Sequence, residues 1–493
     1  MVNTTSTTNT KKYTLTSKLC YASGDIMGGG SYALLSLLFL SFLVTIEGMD
    51  PGLAGATVML GRIVDAIIDP LLGVISDRTR SRFGRRRIFI GIGILPFIVT
   101  FIMLWYSFGI QSDIGKFIYY SAAYVLFCIA LSFVAVPYNA LLPDMVSGYE
   151  NRAGYTTTRM LISNISATIA VTTPAFILGP EASRTTGSYL VMGIVFGLFF
   201  GLPLIITFFT TWEEPPADTE EKPPGLGETL MLFFDSFKNR SFRQYLGIFI
   251  FGQTANDLGT AVTAFWLSDV MRRGDFLMVV SGLTVIASIS MLPINNRLAK
   301  NSGKHHPIYY ALPLRVIGLA IAFFMGPAHG IPLLILVCLL NGVGMGAASF
   351  VPWTLLPDLP DTDELITGRR NAGIYGGITT FTRQFVSGLS IFLAGLMLRA
   401  FGYVESVAGQ TIVQSERALL GVRIAFAIIP LVLVLLTIWF AVRFVLTKKG
   451  HAAVRRAIDH KHSLGAPIED PEVISACEKI SGIPFSQMWA GKK

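Results

Sequence analysis

Three charged side chains lie close together in a stretch of sequence that is otherwise apolar or small. Arg62, Asp65 and Asp69 fall within residues 53–76, which are numerous enough to cross a bilayer as one helix. The spacing of i, i+3 and i+7 places all three on one helical face. One arginine balances one carboxylate, and the remaining negative charge favours a small cation held by oxygens. We expect the two aspartates to bind Na⁺ or Li⁺ or to share a proton; a helix-packing salt bridge with Arg62 is the alternative.

The composition is that of a membrane protein. Hydrophobic residues make up 52% of the 493 residues and charged residues 14%, and the mean hydropathy is +0.58, far from the averages of soluble domains. Apolar runs predict spans near 21–46, 53–76, 88–108, 117–142, 157–179, 188–211, 244–270, 276–296, 307–326, 331–356, 371–400 and 418–446. The sequence therefore predicts an all-α membrane protein with twelve transmembrane helices.

The formal charge of +8 reflects topology rather than nucleic-acid binding. Most Lys and Arg residues fall in the two tails and in alternate junctions, which predicts a multi-pass protein with both termini in the cytoplasm. We expect the membrane to be a bacterial inner membrane. The four cysteines are scattered and form no metal-ligand pattern. No signal peptide, nucleotide loop or catalytic constellation is found, so we expect neither an enzyme nor a resident cofactor or metal.

The chain contains an internal repeat. VPYNALLPD (136–144) ends the fourth span and VPWTLLPD (351–358) ends the tenth, and the next span in each case carries one arginine. The predicted organisation is an N-terminal six-helix bundle (1–211), a charged linker (212–243), a C-terminal six-helix bundle (244–446) and a cytoplasmic tail (447–493). Two parallel six-span repeats are typical of the major facilitator fold, in which the bundles surround a central cavity.

The motifs carry a family resemblance. RIVDAIIDPLLGVISDRTRSRFGRRR (62–87), together with VPYNALLPD, DLPDTDE and TTFTRQ, resembles the glycoside–pentoside–hexuronide:cation symporter family. The resemblance extends over nearly all twelve spans and implies a secondary transporter that works by alternating access. It implies a coupling-cation site at Asp65, Asp69 and Ser132, and sugar-site positions at Arg159 and Arg383. It also implies an inner charge network at Asp358, Asp361, Glu364 and Arg370.

The departures from the family pattern concern the ion and the substrate. Ile68 stands where the melibiose carrier has an asparagine, which puts Na⁺ in doubt and makes H⁺ a candidate. Ala135 and Gly29 replace two sugar-binding aspartates, and Asn139 replaces a stacking tryptophan. A pocket that keeps both arginines without these acids is more cationic, so an acidic sugar is predicted unless Asp25 or Asp257 takes over their role.

The remaining candidates are less specific. Trp353 and Tyr375 are candidates for stacking on a sugar ring, and Asp25, Asp257 and Asn139 for lining the substrate cavity. Asp77, Arg78 and Arg62 are assigned to gating with the basic loop that follows the second span. GVGMGAAS (342–349) is interpreted as close helix packing by small residues.

We therefore predict a monomeric transporter that couples a monovalent cation, Na⁺ or H⁺, to uptake of a small-molecule sugar or glycoside. A cation-coupled lysophospholipid symporter of the same fold is the alternative, and a non-transporting sensor of carrier ancestry is a third possibility.

Overall fold

The computed structural model describes residues 13–146, 149–180, 183–213, 235–369, 372–405 and 413–492. For residues 74, 77, 78, 143, 149–153 and 372–374 it describes the backbone only. The described residues form helices and no strand. They divide into two compact units, one comprising Met1–Glu220 with Glu405–Ile412 and the other Glu221–Val404 with Val413–Lys493. The boundary after Glu220 falls within the predicted linker.

The first unit contains six long helices. They are α1 (Leu15–Ile46), α2 (Pro51–Arg78), α3 (Arg87–Met103), α4 (Asp113–Met145), α5 (Tyr149–Thr172) and α6 (Thr186–Thr210). A short turn interrupts α1 between Ala22 and Asp25, and α5 is followed by a single further turn, Pro174–Leu178.

The second unit contains six long helices and three shorter ones. They are α7 (Arg240–Phe265), α8 (Gly274–Asn301), α9 (Pro307–Phe324), α10 (Ile331–Leu355), α11 (Leu359–Thr367), α12 (Ala372–Ala400), α13 (Glu416–Val442), α14 (Lys448–Leu464) and α15 (Pro471–Ser481). The twelve predicted spans correspond to α1–α10, α12 and α13, so the predicted all-helical membrane fold is confirmed.

Ten of these helices, within the described residues, are long and apolar enough to cross a membrane by themselves. The other two predicted spans, α3 and α7, do not meet this condition, each for a different reason. Helix α3 is apolar but has only 17 residues, and ends before the predicted boundary at 108. Helix α7 is long enough, but polar residues such as Gln253, Asn256 and Asp257 lie buried in its middle. Such residues are tolerated in a span when they face protein partners rather than lipid.

Helix starts follow the capping residues of the sequence. The Asp50 carboxylate accepts a hydrogen bond from the Leu53 N–H at 3.0 Å, and Pro51 occupies the first turn of α2. Ser112 caps α4 in the same way. Gly465 ends α14 with φ of 65°, a left-handed conformation that glycine adopts without strain. These residues therefore set where α2 and α4 begin and where α14 ends.

The glycine-rich stretch of α10 lies against its neighbours at close range. A Cβ added at Gly342 would lie 2.4 Å from the backbone oxygen of Thr284 on α8. A Cβ at Gly344 would lie 2.4 Å from the side chain of Arg315, which is fully buried on α9 and donates to the Ala255 carbonyl at 3.0 Å. The interpretation of this stretch as helix packing is confirmed.

Each unit repeats one loop contact. In the first unit the Asp144 carboxylate, in VPYNALLPD, accepts from Arg85 at 2.8 Å and pairs with Arg86 at 2.9 Å. In the second unit Asp358, in VPWTLLPD, accepts from Lys304 at 2.7 Å. In both cases the last aspartate of the motif holds a basic residue from the loop between the second and third helices of that unit. The internal repeat therefore extends to side-chain contacts.

The start of the predicted linker also belongs to the first unit. The Glu213 carboxylate accepts hydrogen bonds from the backbone N–H groups of Arg85 at 2.8 Å, Arg86 at 3.0 Å and Arg87 at 2.8 Å. These N–H groups open α3, where a carboxylate also interacts favourably with the helix dipole. The Arg-rich loop is thus anchored from two sides.

The C-terminal tail is folded onto the second unit. Ile458 of α14 and Cys477 of α15 are buried in the same apolar core as Phe242 and Leu365. The Ser241 hydroxyl donates to the Ile480 carbonyl at 2.7 Å. The tail is therefore part of the second unit's core, a role that its sequence alone did not reveal.

The close α8–α10 contact predicts a stability difference. Gly342→Ala should destabilise the protein by about 1–3 kcal/mol because its Cβ meets backbone, which cannot move away easily. The matched control is Gly376→Ala in α12, where nothing lies within 4 Å of the added Cβ. Thermal unfolding in detergent measures both; equal unfolding temperatures would contradict the proposed packing.

The loop contacts predict a difference in proteolysis. Asp144→Ala should speed tryptic cleavage within residues 80–87 several-fold, because losing charge-assisted hydrogen bonds lowers the local opening free energy by about 1–2 kcal/mol. Asp113→Ala, an exposed change at the other end of α4, serves as the control. Cleavage at the wild-type rate in Asp144→Ala would show that the contact does not hold the loop.

Candidate functional site

The acidic pair of α2 lies in a buried cluster. The Asp65 side chain is 1% exposed, and its Oδ2 lies 3.6 Å from Nη1 of Arg62. The Ser132 hydroxyl on α4 donates to Asp65 Oδ1 at 2.7 Å. The Arg62 guanidinium also lies over the Tyr32 ring of α1, 4.9 Å from its centroid. The predicted partners Asp65 and Ser132 are therefore brought together by two helices.

Asp69 lies one helical turn beyond Asp65 and is half-buried. The Ser132 hydroxyl is close enough to interact with both carboxylates. Asp65 Oδ2 is buried and, within the described part of the chain, accepts no hydrogen bond. The Arg62 guanidinium faces this oxygen at 3.6 Å and compensates its charge, which leaves Asp69 without an equivalent cation at this distance among the described residues. With all groups ionised, Arg62 and the two aspartates carry one net negative charge, which suits a monovalent cation.

Arg62 lies beside the acidic pair, as its spacing predicts, and its assignment to gating stays a prediction. It lies three residues before Asp65 on the same face of α2. Its guanidinium therefore neutralises Asp65, and Asp69 is left as the less compensated carboxylate. Arg62 therefore also contributes to the charge balance of the candidate cation site.

In the first unit, Arg159 of α5 forms an ion pair with Asp25 of α1. Its Nε lies 3.4 Å from Oδ1 of Asp25, and the two side chains are 26% and 13% exposed. The guanidinium also lies 5.2 Å from the centroid of the Tyr138 ring. Tyr138 is fixed in turn, because its hydroxyl donates to the Tyr21 carbonyl at 2.9 Å. Sequence reasoning missed Tyr138, although it lies within the quoted motif VPYNALLPD.

The second unit contains an equivalent pair. Arg383 of α12 and Asp257 of α7 form a two-pronged ion pair, with one contact from Nη2 to Oδ1 at 3.0 Å and a second from Nη1 to Oδ2. Helices α7 and α12 occupy the places in their unit that α1 and α5 occupy in theirs. Each unit thus presents one Arg–Asp pair with partly exposed side chains.

The pairing bears on the expectation of a cationic pocket. That expectation held unless Asp25 or Asp257 took over the accepting role, and each of these aspartates pairs with one of the two arginines, so each pair is neutral within its own unit. The absence of an acid at position 29 has a steric cause, because a Cβ at Gly29 would lie 2.4 Å from the Ser163 backbone oxygen of α5. The acid lies one turn earlier instead, at Asp25.

The other candidates for substrate binding differ in how exposed their side chains are. Asn139 is exposed on α4, and Trp353 is 49% exposed, with its ring 6.0 Å from that of Phe249. Tyr375 is completely buried, and its hydroxyl donates to Asp363 at 3.3 Å. Its ring is therefore not available to a ligand, and we assign it to the core of the second unit.

The predicted inner charge network pairs with the tail. Asp361 Oδ2 lies 2.9 Å from Nε2 of His451, and Glu364 Oε1 lies 2.9 Å from Nε2 of His462. Arg455 approaches Asp361 at 3.6 Å. These acids lie on α11 and contact α14, which the sequence did not predict. Arg370 and the side chains of Asp77 and Arg78 lie outside the described residues.

Comparison with known proteins identifies the family. Residues 20–448 match the family model described as MFS/sugar transport protein. The chain is 32% identical over 438 residues to the uncharacterized symporter YnaJ of Bacillus subtilis, covering 87% of this chain and 91% of that one. It is 24% identical over 467 residues to the putative glycoside/cation symporter YagG of Escherichia coli, covering 93% and 98%.

A solved structure supports the fold. The nucleoside transporter NupG superposes with a TM-score of 0.60 and 14% identity, covering 87% of this chain and 98% of that one. At this identity the likeness concerns the fold alone. Together with the matched motifs, these similarities show that the chain belongs to the MFS/sugar transport family of membrane transporters, in the glycoside–pentoside–hexuronide:cation symporter group that its sequence resembles.

Proposed function

We propose that the protein is a secondary transporter that couples a monovalent cation to movement of a neutral glycoside or sugar. The observation that carries this proposal is the buried pair Asp65 and Asp69 with the Ser132 hydroxyl. Burying two carboxylates in a membrane span is costly, and one arginine compensates only one of them. A coupling cation accounts for the second.

The oxygens of Asp65, Asp69 and Ser132 come from two helices, so a bound cation would join α2 to α4. A proton needs only one of these oxygens. A sodium ion requires more ligands than three side chains supply, and water or substrate would complete its coordination. Both ions are candidates, and Ile68, which offers no oxygen ligand, counts against Na⁺.

Coupling follows from linkage. Where cation and substrate favour the same conformation, each increases the affinity for the other by the same factor. In this proposal the conformation depends on the net charge of α2. A bound cation would neutralise the negative charge that Arg62 leaves uncompensated on Asp65 and Asp69. Major facilitator proteins then transport by alternating access.

The two Arg–Asp pairs support a neutral, hydroxyl-rich substrate. A guanidinium donates hydrogen bonds and a carboxylate accepts them, so each pair matches adjacent sugar hydroxyls, which both donate and accept. The charge neutrality of Asp25 with Arg159, and of Asp257 with Arg383, argues against the acidic sugar predicted from sequence. The uptake experiment below includes lysophosphatidylcholine and therefore also tests the lysophospholipid alternative.

The basic residues of the tails and alternate junctions support the placement of both termini in the cytoplasm of a bacterial cell. We infer a monomer, because six helices in each unit suffice for the major facilitator fold.

The cation site predicts a loss of accumulation. Asp65→Asn and Asp69→Asn should each reduce gradient-driven uptake in proteoliposomes to background, because the amide carries no charge to bind the ion. Uptake is measured with a panel of radiolabelled neutral glycosides, glucuronate and lysophosphatidylcholine, under a Na⁺ gradient and under a pH gradient. Asp113→Asn, exposed and remote from the pair along the chain, is the matched control. Full accumulation by both site variants would refute the proposal.

The Arg–Asp pairs predict a non-additive loss of binding. Arg383→Gln and Asp257→Asn should each weaken substrate binding about tenfold or more, since hydrogen bonds to charged groups are lost and the partner charge is stranded. The double variant should lose less than the sum of the two. Arg456→Gln, on the exposed face of α14, and Tyr375→Phe should bind as wild type. Equal affinity in Arg383→Gln and wild type would remove the pair from the site.

A further inference from the structure

A separate cavity lies within the second unit, between the ends of α8 and α10 and the start of α14. Its volume is about 440 Å³, within the range of small-molecule sites. One wall is formed by the end of α8 and the loop after it, the second by the end of α10, and the third by the start of α14. It contains none of the residues of the acidic pair or of the two Arg–Asp pairs.

The cavity is basic. Lys300, Lys304 and Lys448 line it, and the one carboxylate among the described residues of its lining is Asp358. Asp358 is already neutralised, because the Lys304 ammonium lies 2.7 Å from both of its oxygens. Lys300 and Lys448 form no ion pair within the described part of the chain. Two ammonium groups are therefore left for an anion.

The tail adds further positive potential to the same wall. Lys448 is the first residue of α14, and its Nζ donates to the Lys300 carbonyl at 3.2 Å, so the two basic residues lie side by side. Thr447 caps the helix by accepting from the Gly450 N–H at 3.3 Å. A helix N-terminus beside cations favours an anion such as phosphate, because the positive end of the helix dipole adds to the charge of the lysines.

The nearby histidines do not supply this charge. Burial, and then the neighbouring His306, lower the pKa of His305 to about 4, so it is neutral at physiological pH. His451 lines the cavity, but its ring contacts Asp361 at 2.9 Å. The anion affinity of the cavity is therefore assigned to the lysines.

Part of the remaining wall is apolar, and the polar side chains of Asn296 and Thr354 also line the cavity. Phe350 of α10 and Leu446, just before α14, line the cavity together with Ala299 of α8. Inorganic phosphate would leave these side chains uncovered, whereas an organic group attached to the phosphate would cover them. The lining thus matches a phosphate ester better than a free ion.

We propose that this cavity binds a phosphate-bearing ligand between Lys300 and Lys448, and that the ligand joins the tail helix α14 to the end of α8. The phosphate belongs either to the headgroup of an anionic phospholipid or to a soluble phosphorylated metabolite. Basic pockets between membrane helices commonly hold lipid headgroups. The ligand stabilises the docked tail, because Lys448 and Lys300 come from the two elements that it joins.

The test uses the full-length protein. Thermal unfolding is measured in detergent with sodium phosphate or glycerol 3-phosphate against sodium chloride at equal ionic strength, and in nanodiscs of phosphatidylglycerol against phosphatidylcholine. The site variant is Lys300→Gln/Lys448→Gln. The matched control, Lys449→Gln/Lys479→Gln, removes two exposed lysines of the tail that do not line the cavity.

Each outcome is decisive. A stabilising shift with glycerol 3-phosphate that persists in the control, and needs about tenfold more ligand in the site variant, supports a soluble ligand. A shift with phosphatidylglycerol alone, lost in the site variant, supports a lipid headgroup. Equal responses of the site variant and wild type, or no response of wild type to any phosphate compound, overturn the proposal.

A second measurement on wild-type protein avoids any folding defect of the variant. Amine labelling followed by mass spectrometry should show slower modification of Lys300 and Lys448 in the presence of the phosphate compound, with Lys449 unchanged. Unchanged labelling of both cavity lysines under all conditions also overturns the proposal.

Discussion

Two carboxylates on one buried helical face impose the main electrostatic constraint on this protein. Arg62 lies within 3.6 Å of Asp65, and Ser132 donates to the same carboxylate at 2.7 Å. These contacts leave Asp69, one turn away, as the less compensated carboxylate. Helix α4 therefore packs against α2 and also supplies the hydroxyl that donates to Asp65.

The two units share some side-chain contacts and differ in others. Both units hold their second-to-third loop through the last aspartate of a Pro-Asp motif, and both join their first and fifth long helices by an Arg–Asp pair. The acidic pair occurs on α2 but has no counterpart on the described residues of α8. The loop contact and the Arg–Asp pair therefore recur in both units, whereas the acidic pair of α2 is not repeated among the described residues of α8.

Much of this organisation was predictable because it depends on local spacing. The i, i+3, i+7 pattern placed Arg62, Asp65 and Asp69 on one face, and the repeat of VPYNALLPD predicted two equivalent units. The Arg–Asp pairs were not assigned, because their partners are more than a hundred residues apart, although Asp25 and Asp257 had been singled out. The burial of Tyr375 and the docking of the tail depend on tertiary packing, which periodicity does not report.

Infrared difference spectroscopy of the purified protein tests the central claim most directly, because it detects the ionisation and coordination of carboxyl groups. Spectra are recorded on exchanging Na⁺ for choline and on changing pH, for wild type and for Asp65→Asn/Asp69→Asn. A bound cation predicts carboxylate bands that change with Na⁺, and a bound proton predicts a carboxylic-acid band that changes with pH; either must vanish in the variant. The same bands in both proteins would contradict the assignment of the coupling ion to this pair.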